Sequence, residues 1–256
     1  MKFFRGVRHK LILDNKKTKY LKYALGEIVL VVIGILIALQ INNWNESRKG
    51  DIALKEYLVK IKSNTLEDML ELDSLTTGRR QIAELCKQAR TSILDKTEDE
   101  NTVLFISSGW AFIDLYFNPS IGGYEALRNS NYYGKINNTA LDSLLTRYHT
   151  IIGEIALNEK SYNEYAESQE AYLSTQFDRS LILAYAFVPP DSLNIRATPQ
   201  NEYFTDFKEY TSFAAYRNVI SLAAWQFDTM IHRYNELKNV GLSIIKEIDM
   251  IIEDQK

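Results

Sequence analysis

Residues 23 to 42 read YALGEIVLVVIGILIALQIN, and from Ile28 to Leu39 every residue is apolar or glycine. A helix rises ~1.5 Å per residue, so about 20 such residues match the ~30 Å hydrocarbon layer of a bilayer. The run is apolar on all sides rather than along one stripe, which suits lipid better than a half-wet core. It predicts a transmembrane helix over 23–44. Tyr20 and Tyr23 stand at one end and Trp44 at the other, where amphipathic rings prefer the headgroups. The basic stretch ahead of the run is long for a signal peptide, and LQINNW offers no small-x-small cleavage site. The span is therefore expected to remain as an anchor.

Charge gives that anchor a direction. Residues 1–22 hold eight Lys or Arg against Asp14, a net +7, whereas the whole chain carries -3, leaving about -10 on the remainder. The positive side of a single-pass protein stays in the cytoplasm. The expected arrangement is a basic cytoplasmic tail (1–22), a membrane helix (23–44) and an exported, periplasmic body (45–256) in the inner membrane. In the tail, Phe3, Phe4, Val7 and Leu11 share a helical face with basic residues mostly elsewhere, a pattern for a helix lying on anionic lipid. An unstructured positive-inside signal fits the same residues.

Glu27 is the one charge in the run. At 100° per residue Gly34 and Ala38 fall within about 20° of it, so the three form one stripe. Small residues let two membrane helices approach, and a polar group on that face can bond across the contact. The partner would be another membrane protein or a second copy of the chain. Alternatively, Glu27 sits roughly 9 Å from the midpoint of the span and snorkels toward the headgroups.

The stretch YALGEIVLVVIGILIALQINNWNE resembles the opening signature of a family of single-pass membrane proteins of unknown function from Bacteroidota. A looser similarity covers GGYEALRNSNYYGKINNTALDSLLTRYH, residues 122–149, although NSNYYGKI departs from the family's Ser-Gly pattern. The resemblance implies a Gram-negative inner-membrane protein with a periplasmic body, and it transfers no activity. The triplets at Asp73, Asp142, Asp191 and Asp228 also resemble the Asp-Ser/Thr-apolar glycosylation acceptor of that phylum. Ser192, in a proline-rich stretch, is the candidate among them.

The body reads as all-α, an up-and-down bundle of long helices. Only 4 Pro and 11 Gly are present, too few for a turn-rich β-sandwich. Leu54, Leu58, Ile61, Thr65, Met69 and Leu72 recur every three or four residues, predicting a helix from about 50 to 75. A turn at Thr76-Thr77-Gly78 separates it from a second helix over 78–96. Residues 102–117 predict a buried helix ended by Asn118-Pro119. Asn138-Thr139 opens a long helix carrying Leu141, Leu145, Tyr148, Ile152, Ile155, Tyr162 and Leu173. The only extended irregular region is expected at roughly 187–205. In the last segment Phe213, Ile220, Phe227, Tyr234, Gly241 and Ile248 repeat every seven, as do Tyr216, Ala223, Met230, Leu237, Ile244 and Ile251. These heptads predict a helix of ~60 Å in a bundle or coiled coil. Extra apolar residues at Ala224, Ile231, Ile245 and Ile252 widen the stripe and favour the bundle.

No signature of catalysis accompanies this pattern. There is no G-x-G-x-x-G, P-loop, G-x-S-x-G or H-E-x-x-H motif. His9, His149 and His232 are scattered, and the latter two read as structural residues on long helices. No cofactor or metal is expected, and Cys86 as the sole cysteine reads as a small buried hydrophobe. Gly122-Gly123 reads as a helix-entry turn rather than an anion site. The sixteen tyrosines suit a core with hydroxyls at its rim better than a ligand cleft. The acidic body lacks the footprint that nucleic acid needs. The expected role is a scaffold or interaction subunit, with a ligand-sensing module as the alternative. A tail of about 22 residues leaves no room for an output domain, so such a sensor would signal through a partner.

Overall fold

A computed structural model describes residues 17–97, 107–178 and 208–254, with backbone alone for 17–20, 22, 23 and 254. Every regular element among the described residues is helical. The α-helices bounded among the described residues include α1 (Lys17–Asp95), α2 (Gly122–Arg128), α3 (Ala140–Gln176) and α4 (Ala214–Asp254). The chain divides into two compact units, residues 1–56 and 57–256.

In the first unit α1 carries the apolar run, and Ile28 through Trp44 are all exposed. This is a candidate membrane span, none of its apolar window being buried within the protein.

In the second unit three long helices share one core. Numbers rise along α1 as they fall along α4 at Lys62–Asp249, Asp73–Lys238, Arg79–Tyr234 and Lys87–Asp228. These two helices are antiparallel. Asp68 meets Tyr148 and Arg79 meets Glu159, so α1 and α3 run parallel. Parallel neighbours need a return segment, and residues 107–132 supply it. They descend along α1, with Ser108 beside Cys86, Leu115 at Arg79, Ser120 at Asp68, Gly123 at Asn64 and Tyr132 by Tyr57. The up-and-down order therefore holds, but its second member is a largely irregular strap.

Local chemistry explains most boundaries. Thr139 caps α3 by accepting the Asp142 N–H at 3.3 Å, and Asp142 reaches back to the Asn138 N–H at 3.1 Å. This is a variant of the capping box in which the carboxylate takes the N–H of the residue before the cap. Nearly all α4 heptad positions are buried, Phe213 and Ile251 at the two ends being half-exposed. Gly241 is in the series because a Cβ there would lie 3.0 Å from Thr65 and 3.4 Å from Tyr148. On α3 the core position is Ile151 rather than Ile152.

Two expectations are corrected. No turn occurs at Thr76-Thr77-Gly78, where α1 continues unbroken. A helical glycine costs only about 1 kcal/mol, and the residues around it are anchored, Thr76 and Arg79 being buried. Residues 109–117, the later part of the segment expected as a buried helix, are not α-helical either. They form a 3-10 turn, Gly109–Phe112, and then an irregular stretch. Asp114 is exposed, and the buried backbone finds side-chain partners in place of helical ones. The 1–16 tail, Ser192 and the proline-rich region lie outside the described residues.

Candidate functional site

The stripe expected on the candidate span lies on an open surface. Gly34 and Ala38 are exposed, and a Cβ added at Gly34 meets nothing within 4 Å. Glu27 is partly covered, unlike the residues that follow it as far as Trp44. Trp44 is 65% exposed, and the Arg48 guanidinium lies 5.7 Å from its ring centroid. Tyr20 and Tyr23 lie on α1, and their side chains are outside the described atoms.

The body places its polar residues where the strap needs them. Buried backbone N–H and C=O groups must find partners, and irregular backbone cannot supply its own. Asn64, Asp68 and Glu71, spaced along one side of α1, accept the N–H groups of Gly123, Ser120 and Asn118 at 2.9, 2.7 and 3.0 Å. Glu159 of α3 accepts the Phe117 N–H at 2.9 Å. Arg79 and Asn163 both donate to the Leu115 carbonyl, at 2.8 and 3.1 Å. Tyr162 donates to the Ala111 carbonyl at 2.7 Å, and the Tyr216 and Ser108 hydroxyls are 3.1 Å apart. The buried tyrosines thus serve the core and the strap rather than a cleft.

Arg79 is the centre of this clamp. It is fully buried, and its Nη2 lies 3.6 Å from Glu159, which is 1% exposed. Its Nε donates to the Tyr234 hydroxyl at 2.7 Å, and Tyr234 in turn donates to Glu159. The guanidinium also lies over the Phe227 ring, 4.8 Å from the centroid. Burial pushes the Tyr234 hydroxyl above its ordinary range, which keeps it a donor. Sequence reasoning missed both charges. The available signal was a charged residue at a core register: Arg79 falls in step with Leu72, Thr76, Ala83 and Cys86, and Glu159 with Ile155 and Tyr162.

A second cluster lies nearer the start of α3. Asp68 accepts from Tyr148 at 2.9 Å, and Tyr124 of α2 stacks on His149 with centroids 4.0 Å apart. These residues border a cavity of about 10 Å3, room for roughly one water and not for a substrate. Among the described residues no group of three or more His, Cys, Asp or Glu side chains is placed to hold a metal. Burial, then the Arg128 charge, holds His149 below its usual range, with Glu125 opposing. A lowered native pKa gives stability that is full above the unfolded value of about 6.5 and is lost as pH falls through the native value. The melting temperature of the full chain in mild detergent should fall from pH 7.5 to 5, and less so in His149→Phe, which keeps the stack. An equal fall in the variant would assign the slope to other groups. Burial raises Asp68, whose contribution runs the opposite way, so only the comparison of variants isolates His149.

The other sequence candidates have structural uses. Gly122 opens α2, and the Gly123 N–H is already bonded to Asn64, so the glycine pair is an entry turn. Asp73, Asp142 and Asp228 of the glycosylation-like triplets pair with Lys238, Tyr133 and Lys87. Cys86 is buried beneath Ser108, its thiol pushed up to about 12 by burial.

A family of unknown function, DUF6090, matches residues 27–183, more than half of the chain. The chain belongs to that family. No curated protein and no solved structure matches it. The DUF6090 match begins at Glu27 and takes in the apolar run, the strap and α3, while α4, which closes the core, lies beyond it.

Proposed function

We propose that this chain is a single-pass protein of a Gram-negative inner membrane whose periplasmic helical body serves as a non-catalytic interaction subunit of a membrane complex. The observation that carries the reading is the exposed surface from Ile28 to Leu39, every residue of it apolar or glycine, preceded by a partly covered carboxylate. Such a surface requires lipid or another apolar helix around it. The Glu27, Gly34 and Ala38 stripe is the side assigned to a partner helix. The +7 tail supports a cytoplasmic N-terminus. The body's interior is filled by its own side chains, which supports a role at its surfaces over one in a binding cleft.

The test is recovery of the tagged full-length chain from its native membrane in mild detergent, with its mass measured in solution. A defined membrane partner or a fixed oligomer is expected, with recovery reduced several-fold in Glu27→Leu at an unchanged melting temperature. Equal recovery would remove the stripe from the reading. Orientation is read in the same preparation by a membrane-impermeant maleimide on Ser74→Cys, an exposed position, Cys86 being buried. Labelling in intact spheroplasts supports a periplasmic body; labelling only after lysis reverses it.

A further inference from the structure

We propose that Trp44 and Arg48, with Ile37 and Ile41, form a phospholipid site at the end of the span, the guanidinium binding the lipid phosphate. This rests on the reading of 23–44 as a membrane helix. At 100° per residue the four residues fall within about 60° of one another. They occur in the order of a lipid's own parts: two apolar side chains, an indole, then a cation. All four are exposed. Ile41 marks the edge of the apolar surface, and Trp44 follows ~4.5 Å further out. A helical side chain leans toward the helix N-terminus. Arg48 does so, returning its guanidinium to within 5.7 Å of the Trp44 centroid, which places it at the depth of the headgroups beside a ~30 Å core.

The charge is available for an anion. Lys49 is paired with Glu46 at 3.3 Å, whereas among the described residues Arg48 forms no ion pair. The Trp44 ring face holds the guanidinium without consuming its N–H donors, and the planar fork of those donors matches two phosphate oxygens. Glu46 lies on the opposite side of the helix, and Asp51, the next carboxylate near this face, stands one turn further from the membrane. The site is centred about 70° around the helix from the Glu27 stripe, with Ile41, about 20° from Gly34, at the boundary between the two.

The test uses the full chain in nanodiscs of phosphatidylglycerol, extracted into mild detergent, with retained phospholipid counted by native mass spectrometry. Wild type is expected to retain lipid that Arg48→Ala exchanges about tenfold faster, the effect of losing one charge-assisted contact. Arg48→Lys, with a point charge in place of the fork, should fall between them. Phosphatidylcholine discs should give the same ranking, because the phosphate is common to both lipids. Equal retention by Arg48→Ala and wild type overturns the site. Displacement of the lipid by millimolar inorganic phosphate also overturns it, by making the site one for free anions. Release of the protein from vesicles by alkaline carbonate would instead overturn the span itself.

Discussion

Arg79→Ala is expected to destabilise the body by about 3–5 kcal/mol, because it leaves the Glu159 carboxylate buried without its charge partner. The loss extends beyond the pair. The Leu115 carbonyl and the Tyr234 hydroxyl each lose a donor, held at 2.8 and 2.7 Å. For a body of this size that corresponds to a melting temperature lower by roughly 10 °C. Arg79→Met combined with Glu159→Leu should recover part of it, since no unpaired charge is left, although the Phe117 N–H and the Tyr234 hydroxyl then lose Glu159. Cys86 reports whether the strap is what loosens. It is fully buried and bonded to the strap at Ser108, so its reaction with a thiol reagent should accelerate in Arg79→Ala at temperatures where the helices persist. An unchanged melting temperature in Arg79→Ala would show that the buried pair contributes nothing net.

Gly123→Ala is the second large expected effect. A Cβ there would stand 2.9 Å from the Ile61 nitrogen, 2.9 Å from Asn64 Oδ1 and 3.1 Å from the Lys60 carbonyl carbon. Two of these are backbone atoms of α1 and cannot swing aside. The substitution must lift α2 from α1, lengthening the Gly123–Asn64 bond and the Tyr124–His149 stack. Overpacking of this kind costs about 1–3 kcal/mol. Gly122→Ala is the control, since nothing lies within 4 Å of that Cβ and alanine is the better helix former. Thermal melting of both variants should separate them, Gly123→Ala falling and Gly122→Ala holding or rising. Equal behaviour would mean that α2 is not seated on α1 as described.

Periodicity and composition are local properties, and what depends on them was legible in the chain. The unbroken apolar run from Ile28 to Leu39 needs no partner to declare itself. The heptads from Phe213 to Ile251 determine the inward face of α4 because a helix repeats every 3.6 residues wherever it is placed. Asn138-Thr139, with Asp142, announces the start of α3 through groups four residues apart.

The strap and its clamp follow from contacts between residues far apart in the chain. Arg79 and Glu159 are eighty positions apart, and each looks like a solvated charge until the other is brought beside it. Thr76-Thr77-Gly78 has the composition of a turn, yet packing on both sides keeps it helical at about 1 kcal/mol for the glycine. Residues 109–117 are apolar enough to suggest a helix. Their irregular course is stabilised by donors and acceptors on three other helices that no local pattern records. The sequence by itself determined the helical class, the candidate span and the facing of α4. The tertiary structure alone decided that the return limb is a strap, because buried irregular backbone is stable only where distant side chains satisfy it.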